Sequence, residues 1–176
     1  MNPTQVSEIV NTLENSRREF IAACEGVTES LEKVAPAPGR WSVLDCVEHV
    51  TTVEERFLGW LASGQRIEAP LSDPQKEAEL AARVANRTTR VEAPEAVRPV
   101  GRFVTLAAAL EHFNAARARS ARFADDHRDD LYWLAAEHPR LGKLNGVEFL
   151  TIIAAHARRH AEQIRETRAA IGQKPA

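Results

Sequence analysis

The chain has 176 residues, 44% hydrophobic and 27% charged, with a formal net charge of −2. That balance suits one soluble globular domain over residues 1–176 and gives no global basic field to recruit nucleic acid or an acidic membrane surface. Met1 to Val10 lacks a basic start followed by an apolar run, and no stretch approaches the ~18 uncharged apolar residues of a membrane span. The two cysteines, Cys24 and Cys46, sit in apolar patterns, so buried, reduced thiols in a cytoplasmic protein are expected.

Thr4 is placed to cap a first helix whose apolar face runs Val6, Ile9, Val10, Leu13, Phe20, Ile21 and Cys24 and which Gly26 ends. A short helical turn is expected from Thr28 to Val34, before Pro36, Pro38 and Gly39 mark a loop. Ser42-Val43-Leu44-Asp45 has the capping-box pattern, a serine oxygen for the first amides and an acidic group three residues on. It opens a second helix to about Ser63, stopped by Gly64, with Leu44, Val47, Val50, Val53, Phe57, Leu58 and Leu61 as its apolar positions. Residues 64–104 hold Pro70, Pro74, Pro94 and Pro99 and one short helical stretch around Gln75 to Asn86. Their apolar content is too thin for a core, so this segment reads as a long crossover and not a second domain.

Thr105 can cap a third long helix to about His127, with Leu106, Leu110, Phe113, Ala116 and Phe123 facing inward. A loop carrying Leu131, Trp133, Pro139 and Gly142 follows, and no strand alternation is longer than a few residues. Asn145-Gly146-Val147-Glu148 repeats the cap pattern and starts a fourth long helix to about Ile171, whose apolar set is Phe149, Leu150, Ile152, Ile153, Ala157 and Ile164. The tail from Gly172 to Ala176 is expected to fray. Four long amphipathic helices and one long crossover are expected to pack as an all-α four-helix bundle.

His156 and His160 stand four apart, which on a helix stacks both imidazoles on one face, one turn above the other. Such a pair arises by accident in about one comparable chain in six, so it needs support from elsewhere. His49, flanked by Val50 and Val53 in the second helix, supplies it. If the second and fourth helices pack antiparallel with their ends level, His49 lies about 21 Å, and the pair about 16 and 22 Å, from a common end. The three histidines then share a level. Three neutral imidazoles suit zinc, nickel, iron(II) or cobalt(II) and leave coordination positions open, as catalytic sites do.

Asp45, one turn before His49, can orient it, although completing the helix cap is the plainer role. Gln163, one turn beyond His160, can hydrogen-bond a ligand on the ion or act as an ordinary boundary residue. Glu54 and Glu55 fit solvated or arginine-paired positions better than catalytic ones. Arg158, Arg159 and Arg165 make a local basic stripe, but Glu162 and Glu166 interrupt it and no aromatic platform accompanies it, which argues against nucleic acid.

Trp41-Ser42-Val43-Leu44-Asp45 followed by His49-Val50, and later His156, His160 and Gln163-Ile164, resemble the two signatures of the DinB-like superfamily. The segment from His138 to Leu144 resembles that family's lead-in to its last helix, and the stretches at Glu92 to Glu95 and Pro99 to Phe103 resemble one of its branches. The resemblance implies an up-down-down-up bundle with the crossover between the second and third helices. It also implies a divalent transition metal, zinc, nickel or iron foremost, held by His49, His156 and His160. Members of the family include thiol-dependent S-transferases or isomerases that use small sugar thiols such as mycothiol or bacillithiol, and proteins treated as metal-dependent hydrolases; dimers are common. The expected function is therefore a metal-dependent S-transferase acting on a small molecule with a low-molecular-weight thiol, as a homodimer. A metal-dependent hydrolase and a non-catalytic metal-binding bundle are the alternatives.

Overall fold

The computed structural model describes residues 3–88 and 91–172, with side chains from residue 7 onward. Its helices are α1 (Pro3–Cys24), α2 (Val43–Ala62), α3 (Pro74–Ala85), α4 (Leu106–Asp126) and α5 (Gly146–Ala170). Three short strands accompany them: β1 (Gln65–Arg66), β2 (Leu134–His138) and β3 (Gly142–Asn145). No helix among the described residues is long and apolar enough to cross a membrane.

Local chemistry sets the helix ends. At α2 the Ser42 hydroxyl accepts the Asp45 N–H while the Asp45 carboxylate accepts the Ser42 N–H, and Asn145 and Glu148 form the same reciprocal pair at α5. Thr105 caps α4 through the Ala108 N–H, and Asp73 caps α3 ahead of Pro74. Gly64 stops α2 where a side chain has no room: a Cβ there would lie 2.8 Å from the Leu61 carbonyl oxygen and 2.9 Å from that of Ala135. Thr4 does not cap α1, because the helix begins one residue earlier at Pro3. The side chains of Thr4 and Val6, and the tail beyond Gly172, lie outside the described residues.

α1 and α2 each pack against both α4 and α5, so these consecutive helices sit across the diagonal of the bundle, and α3 lies on the outside of α5. Side-chain contacts give the directions. Arg168 near the end of α5 donates to the Ala23 carbonyl near the end of α1, so those two run parallel. Phe20 meets Phe113 and Arg17 bonds Asn114, while Arg117 reaches back to Ser16, so α1 and α4 are antiparallel. Glu32 joins the starts of α2 and α4: its carbonyl accepts the Leu44 N–H and its carboxylate the Leu106 N–H. The topology is the expected up-down-down-up.

The core falls into two apolar clusters. One is centred on Phe20, Val47, Phe113 and Ile164, the other on Leu13, Leu61, Phe149 and Ile152. Buried polar groups lie between them, among them Ser16, Thr51, Glu54, Arg117 and Ser120. His49 and His160 lie level with the first cluster, between its members Val47 and Val50 on α2 and Ala157 and Ala161 on α5.

A minor three-stranded antiparallel sheet, in the order β1-β2-β3, accompanies the all-α bundle where crossover and loop were expected. Its strands have two to five residues, too short for alternation to register as a pattern. The register Gln65↔Ala135↔Asn145 ties the exit of α2 to the entry of α5 and sets those two helices antiparallel with ends level. β2 and β3 form a hairpin across Pro139, Arg140 and Leu141, closed by Gly142 at φ 74.

His138 stiffens this turn: its Nδ1 accepts the N–H of Arg140 at 3.1 Å and of Leu141 at 3.2 Å. Burial, reinforced by the Arg140 and Arg83 charges, lowers its pKa below the ordinary histidine value. The neutral ring is therefore favoured in the folded state. Its contribution is constant above the unfolded pKa of about 6.5 and is lost as pH falls from there through the folded pKa. Thermal melts from pH 7.5 to 5 should show an acid-side loss that is smaller in His138→Gln. Identical pH profiles for the two proteins would remove His138 from the account.

Candidate metal centre

α2 buries a continuous run from Cys46 to Thr51, because the crossover covers the face that would otherwise meet solvent. His49 lies in that run and is 5% exposed, as is His160 on α5. His156, one turn before His160, keeps partial contact with solvent, so the triad opens on its side. The ring of His156 packs against both partners, with centroids 5.1 Å from His49 and 4.5 Å from His160. Level helix ends thus bring together three side chains up to 111 positions apart in sequence (160 less 49).

The Nε2 atoms point at one another. His49 Nε2 and His156 Nε2 are 3.3 Å apart, and His156 Nε2 and His160 Nε2 are 3.1 Å apart. All three ligand atoms lie within 4.8 Å of one another. His49 Nδ1 donates to the Val97 carbonyl oxygen at 2.7 Å, which fixes the proton on Nδ1 and leaves Nε2 as a bare lone pair. Lone pairs held this close repel unless something positive sits between them. Metal–imidazole bonds of about 2.0–2.1 Å place neighbouring nitrogens about 3.0 Å apart at a right angle and about 3.4 Å apart at the tetrahedral angle. The two separations to His156 Nε2 fall in that interval, so the residues fit a transition ion.

Electrostatics point the same way. Burial pushes the pKa of His156 and His160 well below the ordinary value, helped by the other imidazoles and by Arg159, with Arg117 also acting on His156 and Arg87 on His160. Burial lowers that of His49 too, partly opposed by its bond to Val97. All three are therefore held neutral, the form that donates a lone pair to a cation. No carboxylate is among these influences.

A profile of the DinB superfamily matches residues 12–164. The chain belongs to the DinB superfamily. Two solved structures resemble this DinB superfamily member in fold. One is YfiT from Bacillus subtilis, described as a probable metal-dependent hydrolase with an unusual four-helix bundle topology; it is 17% identical, with a TM-score of 0.62 over 99% of this chain and 91% of that one. The other is TT2238, described as a four-helix bundle protein; it is 20% identical, with a TM-score of 0.59 over 92% of this chain and 98% of that one. No match was found among curated proteins.

In this DinB superfamily chain the other candidate residues have different partners. Asp45 is occupied by the cap, its Oδ2 taking both the N–H and the hydroxyl of Ser42. Gln163 Oε1 accepts from Arg87 Nη1 at 3.3 Å, beside the Arg87–Glu166 ion pair. Glu54 and Glu55 pair with arginines, Glu54 with Arg117 and Glu55 with Arg102 and Arg119. Two contributors to the site were assigned no part in it by the sequence reading, although Trp41 opens the first family signature. Trp41 rests against His49, centroids 4.6 Å apart, and stacks toward His160 at 6.1 Å. Its place just before the Ser42 cap was the available clue. The Val97 carbonyl had no clue at all, because every residue carries one.

Proposed function

We propose that His49, His156 and His160 hold a divalent transition metal, and that the chain is a thiol-dependent S-transferase acting on a small electrophile. The observation that carries this reading is the character of the triad: three neutral nitrogen donors, arginines nearby and no carboxylate in contact. Bound there, a divalent ion supplies a Lewis acid that lowers the pKa of a coordinated acid. Three uncharged ligands leave its full charge uncompensated, and Arg87, Arg117 and Arg159 add to the positive field. An anionic partner is therefore favoured.

Among the described residues no carboxylate joins the three-histidine cluster, which favours the thiol reading over the hydrolytic one. Water, with a pKa of about 15.7, needs far more activation than a thiol at about 8.5, and hydrolysis usually also needs a group to protonate the departing atom. The described residues around the triad offer no such acid or base, whereas a thiol whose pKa the ion lowers would give its proton to solvent on the His156 side. The chain's own contribution is to orient His49 through Val97, to shelter two imidazoles under Trp41, and to leave the His156 side open for substrates.

The hydrolase reading is favoured by the likeness to YfiT. Metal-loaded protein assayed with low-molecular-weight thiols and electrophilic substrates, and in parallel with esters and amides, distinguishes them. Conjugation that is lost on chelation supports the transferase; hydrolysis alone would replace it with the hydrolase. Silence in both panels with metal bound would leave a non-catalytic metal module.

A further inference from the structure

We propose that Glu48 is a positioning residue for the metal centre, acting through the crossover without touching the ion. Glu48 directly precedes His49 on α2 and is 2% exposed. A carboxylate in that position loses its hydration and must find other donors. It finds backbone: Oε1 accepts the Val100 N–H at 2.6 Å and Oε2 the Arg102 N–H at 2.8 Å. The Val100 side chain is 85% exposed, so apolar packing of that residue does not hold the segment down. The carboxylate holds that stretch, between the buried Val97 and Phe103 on either side.

Three residues upstream, the Val97 carbonyl receives the His49 Nδ1–H. Adjacent residues of α2 thus grip the same strap at two points. The strap between them is stiff. Val97 ends a 3-10 turn (Glu95–Val97) in which the Arg98 N–H bonds the Glu95 carbonyl, and Pro99 fixes its own φ. Movement at Val100 is therefore passed to Val97. When the clamp opens, the Val97 carbonyl drifts from the imidazole, Nδ1 loses its acceptor, and the proton is free to move to Nε2. A ring protonated on Nε2 offers no lone pair to the ion.

The affinity arm of the test rests on the metal reading above; the tautomer arm does not. Glu48→Gln keeps the size but offers one acceptor where two are needed, and turns an NH2 toward a backbone N–H. In metal-free protein, ring-nitrogen NMR should find His49 as the Nδ1–H tautomer in the wild type and as a mixture in Glu48→Gln. Zinc titration should find affinity reduced about 10- to 100-fold in Glu48→Gln, the usual range for losing an outer partner of a ligand. Glu55→Gln, which weakens only the outer pairs with Arg102 and Arg119, should leave zinc affinity unchanged. Should Glu48→Gln fail to fold, Pro99→Gly loosens the strap without altering a buried charge, and a shift in the same direction is expected. Wild-type tautomer and zinc affinity in the folded variant overturn the proposal. If the wild type takes up no zinc, the metal reading fails, and the tautomer comparison still judges the clamp.

Discussion

Glu54→Gln lowers the free energy of unfolding by about 3–5 kcal/mol, the cost of leaving one member of a buried ion pair unpaired. Glu54 and Arg117 are each 2% exposed. Arg117 Nε and Nη2 donate to the two Glu54 oxygens at 2.8 and 2.9 Å, and Nη1 donates to the Leu13 carbonyl and the Ser16 hydroxyl. Ser120 adds a further bond to Glu54 at 2.8 Å. Glutamine keeps the shape and removes the charge, so the guanidinium stays inside the bundle without its counterion. Urea denaturation at pH 7 measures the loss. A double variant, Glu54→Leu with Arg117→Met, removes both charges and should recover most of it, since well-packed apolar replacements of buried pairs are often neutral or stabilising. A near-neutral effect of Glu54→Gln would mean that the pair is not a net constraint on the fold.

Zinc at a thousand times its dissociation constant should stabilise the wild type by about 4 kcal/mol, which for a chain of this length raises Tm by on the order of 10 °C. Chelation should reverse the shift. His156→Ala should abolish it while leaving the metal-free Tm close to wild type, because this histidine is the most exposed of the three and makes no backbone bond like that of His49 to Val97. Calorimetric melts with and without zinc, paired with elemental analysis, provide the check. An undiminished zinc shift in His156→Ala would place the metal elsewhere.

The long helices and the triad were legible in the sequence because local chemistry specifies them. Ser42 and Asn145 announce their capping boxes within four residues, and the same boxes begin α2 and α5. Helix rise then sufficed to bring His49 level with His156 and His160, because the assumed antiparallel alignment is the one the fold adopts. What was illegible depends on partners far along the chain. β1 has two residues and exists only because β2 lies beside it. The burial of Glu48 and Glu54 follows from the crossover and from α4, neither of which leaves a mark on α2. Asp45 shows the converse: one residue fitted two roles, and the near neighbour Ser42 took both its hydrogen bonds.

The diagonal placement of α1 and α2 has a consequence for how the molecule assembles. A simple up-and-down hairpin lets each new helix dock on the one before it, which keeps contacts local and folding fast. Here α1 finds its main partners, among the described residues, in α4 and α5, beginning at Leu106 and Gly146. Both apolar clusters draw residues from α5. During synthesis the first two helices must therefore wait, amphipathic and without lasting partners, until α4 and then α5 have emerged. Refolding should accordingly be slower than in up-and-down bundles of similar size, and a chain cut before α5 should remain open to proteolysis.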